Sequence, residues 1–129
     1  AFILEHKNQL DSISIITSSS AISTHLYPLL RQELPECYLT RSADHMLEIA
    51  HRNCGKHTAV RFLADHLQLS PNQIAAFGDG DNDAEMLAYV GHGIAVSNAS
   101  PACLAAANHV SLHFSESAVA YGIYHILQL

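Results

Sequence analysis

The chain has 129 residues, 49% of them hydrophobic and 14% charged, which is one domain's worth of core-forming sequence and excludes disorder. Twelve acidic against six basic residues give a formal charge of −6, which argues against nucleic acid and anionic membrane as partners. No apolar run is long enough to cross a bilayer, and Cys37, Cys54 and Cys103 form no C-x-x-C pair, so the expected setting is reducing and cytoplasmic, without disulfides or a zinc ribbon.

Ala1 opens the chain without a methionine, and Ile3 and Leu4 run straight into structure-like sequence, so the start reads as an internal cut. Residues 13–17 (ISIIT) are β-branched and apolar and predict a strand. Ser18, Ser19 and Ser20 are placed to cap a helix with apolar face Ile22, Leu26, Leu29, Leu30 and Leu34, kinked or delayed by Pro28. Cys37–Thr40 and Met46–Ala50 predict two strands joined by the polar stretch Arg41–His45. Residues 51–55 (HRNCG) form a break.

A helix is expected from near Lys56, with Val60, Leu63, Ala64 and Leu67 inward. Pro71 and Asn72 make a turn before an apolar strand, Gln73–Phe77. The acidic loop Gly78–Asp83 (GDGDND) follows, then a helix over Ala84–Tyr89 and a strand over Gly93–Val96. Ser100 caps and Pro101 opens an alanine-rich helix. His109–Leu112 is a short strand and Ala118–Leu127 a closing helix. Apolar strands alternating with helices indicate an α/β fold with a parallel sheet covered on both faces. The part before the break has an α+β pattern instead. The boundary is set at 1–52 and 53–129.

The acidic loop carries the chemistry. Asp79, Asp81 and Asp83 lie within five residues and repel one another unless a cation intervenes. Oxygen ligands select Mg²⁺ or Ca²⁺ over Zn²⁺. A plain turn with Asn82 and Glu85 as a capping box explains those two residues but gives Asp79 and Asp83 no purpose. A calcium loop of D-x-D-x-D type requires glycine and glutamate where Ala84 and Val90 stand. Lys56, at a helix start, is disfavoured there by the helix dipole unless an anion such as phosphate binds beside it; alone it reads as a solvated lysine at a loop edge, and the acidic loop is what favours the phosphate reading.

Gly78–Asp83 followed by Met86-Leu87, the stretch from Gly91 through Ala99, Arg41-Ser42-Ala43 to Ile49, and Lys56 with Thr58-Ala59-Val60 together resemble the Cof-type (class IIB) phosphatases of the haloacid dehalogenase superfamily. The resemblance runs from about residue 13 to the end. It implies the C-terminal part of a Rossmann-like core preceded by part of an α+β cap. It also implies Mg²⁺-dependent hydrolysis of a small phosphorylated metabolite, sugar phosphate-like, through an aspartyl-phosphate. By that resemblance Asp79 binds Mg²⁺ and Asp83 helps to hold the metal or its waters. Asn82 contacts the substrate phosphate, and Lys56 balances charge on the phosphate and the nucleophile. Asp81 occupies a variable position.

Two departures accompany the resemblance. His57 stands where the family usually has glycine, and the nucleophile motif D-x-D-G-T is absent from these residues. The alternative reading is therefore a catalytically inactive fragment or binding module that keeps a cation or phosphate site. In a second register residues 13–17 are the family's phosphate-binding strand and Thr17 is functional. A core lacking its first strands is expected to expose a sheet edge and to be marginally stable or self-associated. The ten histidines are scattered and, His57 apart, are read as structural.

Overall fold

The computed structural model describes Glu5, His6 and residues 10–129; Ile3 and Leu4, read above as leading into structure, lie outside the described residues. The chain divides into two compact units, Ala1–Cys54 and Gly55–Leu129.

In the first unit β1 (Ser12–Ile16) is followed by α1 (Ser19–Ala21), a π-helical segment Ile22–Leu26, α2 (Tyr27–Glu33), β2 (Cys37–Ala43) and β3 (Met46–His51). The sheet is antiparallel with order β1-β3-β2. Ser18 caps α1, its hydroxyl accepting from the Ala21 N–H at 3.3 Å. Pro28 neither delays nor ends the helix. Lacking an N–H and crowding the preceding turn, it is accommodated by a widened turn in which the Tyr27 N–H donates to the Ile22 carbonyl. Ile22, Leu39 and Leu47 are the buried apolar side chains of this unit among the described residues. Leu29, placed on the buried face by its spacing, is instead exposed.

Strand β2 also extends through Arg41–Ala43, residues expected in the stretch connecting two strands. The ladder continues as Arg41↔Leu47 and Ala43↔Met46, with an irregularity between Arg41 and Ala43. Arg41 is tolerated there because its guanidinium donates to Ser23 Oγ (3.2 Å), Ser19 Oγ (3.2 Å) and the Asp44 carbonyl (3.0 Å). The antiparallel pairing of β1 with β3 also removes the second register, since a phosphate-binding strand end at Thr17 belongs to a parallel sheet.

The second unit holds α3 (Lys56–Leu67), β4 (Ala75–Gly78), α4 (Ala84–Tyr89), β5 (His92–Ala95), α5 (Pro101–Ala106), β6 (His109–Val110) and α6 (Ala118–Tyr121), with a π-helical segment Gly122–Ile126 at its end. Its three strands are parallel, in the order β4-β5-β6. The alternation of helices and apolar strands thus yields the expected α/β layering. Met86, Leu87, Ala95, Val96, Ala99, Cys103 and Ala118 form its core cluster, joined by Val60, Ala76, Leu104, Ala107 and Leu112. Ser100 caps α5 as its position suggests, accepting from the Cys103 N–H at 3.3 Å.

Strand β4 starts two residues later than the apolar pattern suggests. Gln73 is drawn into the short 3₁₀ turn Pro71–Gln73, where its Oε1 accepts from the Ser70 N–H at 2.9 Å. The residues expected on the inner face of α3 divide. Ala64 is buried and Val60 packs on the core, but Leu63 is 53% and Leu67 60% exposed, beside Phe62 at 69%. No element among the described residues covers that flank. Strand β4 likewise has one strand neighbour among the described residues, β5.

Candidate functional site

Strand β4 ends at Gly78, and the chain turns through Asp79 and Gly80 into a 3₁₀ turn, Asp81–Asp83, that feeds α4. This is the carboxyl end of a parallel strand, where open α/β sheets place ligands. The turn is built around the Asp83 side chain. Its Oδ2 accepts from the backbone N–H groups of Asp79 (2.9 Å) and Gly80 (3.1 Å). Its Oδ1 accepts from Lys56 Nζ, the first residue of α3, at 2.5 Å. The acidic loop and the lysine therefore meet directly, across 27 residues of sequence.

Burial is uneven across this cluster. The Asp83 side chain is 4% exposed and that of Lys56 is 51% exposed. Asp79 and Asp81 are exposed and Asn82 is half-buried. Desolvation by itself raises the Asp83 pKa. The Lys56 hydrogen bond and the two backbone N–H donors outweigh it and leave the carboxyl below its ordinary value. The turn is anchored behind by the Ser100 N–H, which donates to the Asp79 carbonyl at 2.8 Å.

These contacts decide between the bland readings. The turn is closed by Asp83, whose carboxylate accepts from the Gly80 N–H and whose N–H donates to the Gly80 carbonyl, and not by a capping box from Asn82 to Glu85. Glu85 instead places Oε2 2.8 Å from His57 Nδ1. A calcium loop would need the Asp83 carboxylate turned toward Asp79 and Asp81, but it is spent on Lys56 and two N–H groups.

Two contributors to this geometry carry little signal in the sequence. The first is Gly78, whose lack of a side chain lets Asp83 close over the strand end. A Cβ there would lie 2.5 Å from Asp83 Cβ, closer than real Cβ atoms come. Gly78→Ala should therefore displace the Asp83 carboxylate from Lys56 and cost about 1–3 kcal/mol, read as a lowered midpoint in urea unfolding. The second is the His57–Glu85 contact. Its only sequence signal was histidine in place of the family's glycine.

Cys103 lies fully buried in the first turn of α5. Burial, reinforced by the negative charges of Asp83, Asp79 and Asp81, pushes its thiol up from 9.0 to about 11. The folded state thus holds this proton more tightly than the unfolded chain. The associated stability is complete below pH 9.0 and is lost as pH rises through about 11. Urea titrations at pH 8 and pH 11 should show a loss on the order of 2–3 kcal/mol that Cys103→Ala reduces.

Asp79 offers an oxygen donor of the kind Mg²⁺ takes, one or two carboxylates completed by waters and phosphate, whereas both oxygens of Asp83, the other expected metal residue, are engaged by Lys56 and two backbone N–H groups. Among the described residues no group of three or more His, Cys, Asp or Glu side chains is placed to hold a metal by itself. The residues fit part of a magnesium shell, with Asp79 the carboxylate open to it and Asp83 engaged behind.

A family model described as haloacid dehalogenase-like hydrolase matches residues 2–123. An HMP-PP phosphatase from Enterobacter is 39% identical over 92 residues, 70% of this chain and 34% of that protein. A provisionally named phosphatase of Haemophilus influenzae is likewise 39% identical over 92 residues, 71% of this chain and 35% of its own length. Among solved structures, a haloacid dehalogenase-like hydrolase from B. subtilis superposes with a TM-score of 0.79 at 28% identity, over 90% of this chain and 40% of the other. The chain spans about a third of the length of these curated relatives.

Proposed function

The chain belongs to the haloacid dehalogenase-like hydrolases, and from that premise we propose that it is the phosphate- and metal-binding part of a magnesium-dependent phosphatase acting on a small phosphorylated metabolite. The observation that carries the reading is the Lys56–Asp83 bridge at 2.5 Å, set at the end of β4 beside the exposed carboxylate of Asp79. In this reading residues 53–129 belong to the hydrolase core and residues 1–52 to a partial cap.

Each residue has a physical task. Asp79 presents an exposed carboxylate to the cation, its backbone fixed by Asp83 and by the Ser100 N–H. Bound there, Mg²⁺ would neutralise charge on a phosphoryl group. Asp83 acts through Lys56: its buried carboxylate holds the ammonium at the mouth of the site, where the half-exposed lysine can also reach a phosphoryl oxygen. Asn82, half-buried beside Gly80, supplies an uncharged amide for hydrogen bonding to phosphate oxygens. The D-x-D-G-T motif from which the family's attacking aspartate comes does not occur in these 129 residues.

A second reading, an inactive cation- or phosphate-binding module, is favoured by the incomplete donor set. The two separate in one assay. The 129-residue chain alone should show no turnover of p-nitrophenyl phosphate, whereas the intact protein should show turnover that EDTA abolishes and Mg²⁺ restores. Turnover by the isolated chain would refute the missing-nucleophile account. An intact protein without turnover would favour the binding module.

A further inference from the structure

The start of α3 has no side-chain cap among the described residues. Its N-cap, Gly55, sits at φ 138°, offers no side-chain hydrogen bond, and is followed by a first turn without acidic residues. Two contacts with the turn and helix after β4 fix it instead. One is Lys56 to Asp83, and the other, one residue on, is His57 Nδ1 to Glu85 Oε2 at 2.8 Å. The ring's other nitrogen, Nε2, lies 3.0 Å from Thr58 Oγ1.

The two bridges differ in kind. Lys56 ends a long, half-exposed stem, and its ammonium must be shared between Asp83 and any bound phosphoryl oxygen. When it turns to the ligand, its hold on α3 weakens. His57 is short and stiff, and its side chain is 24% exposed. With Glu85 61% exposed, the His57 pair adds little to stability, about 0–1 kcal/mol. Its value lies in location.

We propose that His57 is a positioning residue which, through Glu85, fixes the start of α3 against α4 and so sets the reach of the Lys56 ammonium toward a phosphoryl group. The inference rests on the phosphatase reading above and assigns a task to the one position in the site where the chain departs from the family's usual glycine.

The test is steady-state hydrolysis of p-nitrophenyl phosphate by the intact protein, with His57→Ala, His57→Asn, Glu85→Ala, the His57/Glu85 double alanine variant and Lys56→Met. His57→Ala and Glu85→Ala should each raise KM roughly tenfold with a smaller change in kcat, and the double variant should be no worse than either alone. His57→Asn, which keeps a nitrogen near the place of Nδ1, should recover most of the affinity. A purely structural histidine would lower the thermal midpoint without that split or that recovery. Unchanged KM in His57→Ala and Glu85→Ala, or fully additive effects, would overturn the positioning role while Lys56→Met still abolishes binding. A wild-type protein without turnover, or Lys56→Met equal to wild type, would overturn the phosphatase reading and this inference with it. Should His57→Ala fail to fold, Glu85→Ala and His57→Asn carry the test.

Discussion

In the intact protein, Asp79→Asn is expected to lower kcat/KM for a phosphate monoester by about 10²–10³-fold or more, while Asp81→Asn changes it less than about threefold. The two aspartates are near neighbours and both are exposed, so charge counting alone predicts equal effects. Their backbones separate them. The Asp79 N–H is held by Asp83 Oδ2 at 2.9 Å and its carbonyl by the Ser100 N–H at 2.8 Å, so its side chain leaves a fixed point at the strand end. Asp81 opens the 3₁₀ turn further from the strand end, where its carbonyl accepts from the Ala84 N–H. Added Mg²⁺ should partly rescue Asp79→Asn, because the lost carboxylate weakens metal binding before it changes geometry. Equal losses from both substitutions would undo the assignment.

The second large effect concerns the bridge itself. Lys56→Met should cost about 1–3 kcal/mol and abolish measurable phosphate affinity, and Asp83→Ala should cost about 3–5 kcal/mol. The asymmetry follows from burial. Removing Lys56 leaves a buried carboxylate that still has two N–H donors, with part of the loss screened because the lysine is half-exposed. Removing Asp83 strips one acceptor from both N–H groups and from the ammonium at once. The pH dependence has a definite sign. Asp83 is held below its unfolded value of 3.8, so its contribution is present above that pH and is lost as pH falls through the lower folded value. Without Lys56 burial regains influence, and the acid limb of thermal stability should move to higher pH. Circular dichroism melts between pH 2 and 7 on both proteins would show it.

The sequence made the chemistry of the site legible more readily than its geometry. Three carboxylates beside a strand drew attention to the acidic loop, whereas Lys56 stood out only beside that loop and through the family resemblance, since a lysine at a helix start is by itself most simply solvated. Which carboxylate faces the lysine was not legible. That depends on Gly78 allowing Asp83 to close over the strand end, a contact distance no spacing rule encodes. Helix and strand types were read well from periodicity. Their limits were not, because local side chains competed for backbone groups: Gln73 left the strand to cap a turn, and Pro28 was absorbed by a π turn. Leu63 and Leu67 show the remaining gap, since periodicity reports which face is apolar and not whether anything lies against it.

Strand β4 has β5 on one side and no strand on the other among the described residues, so its alternate amide protons differ in fate. Those directed at β5 should exchange with deuterium slowly, at a rate set by opening of the sheet. Those directed away should exchange nearly as fast as in a peptide. The strand that carries the site at its end would thereby report its own surroundings: slow exchange of the outward set in the intact protein, and fast exchange in this chain, would register a neighbour laid along it.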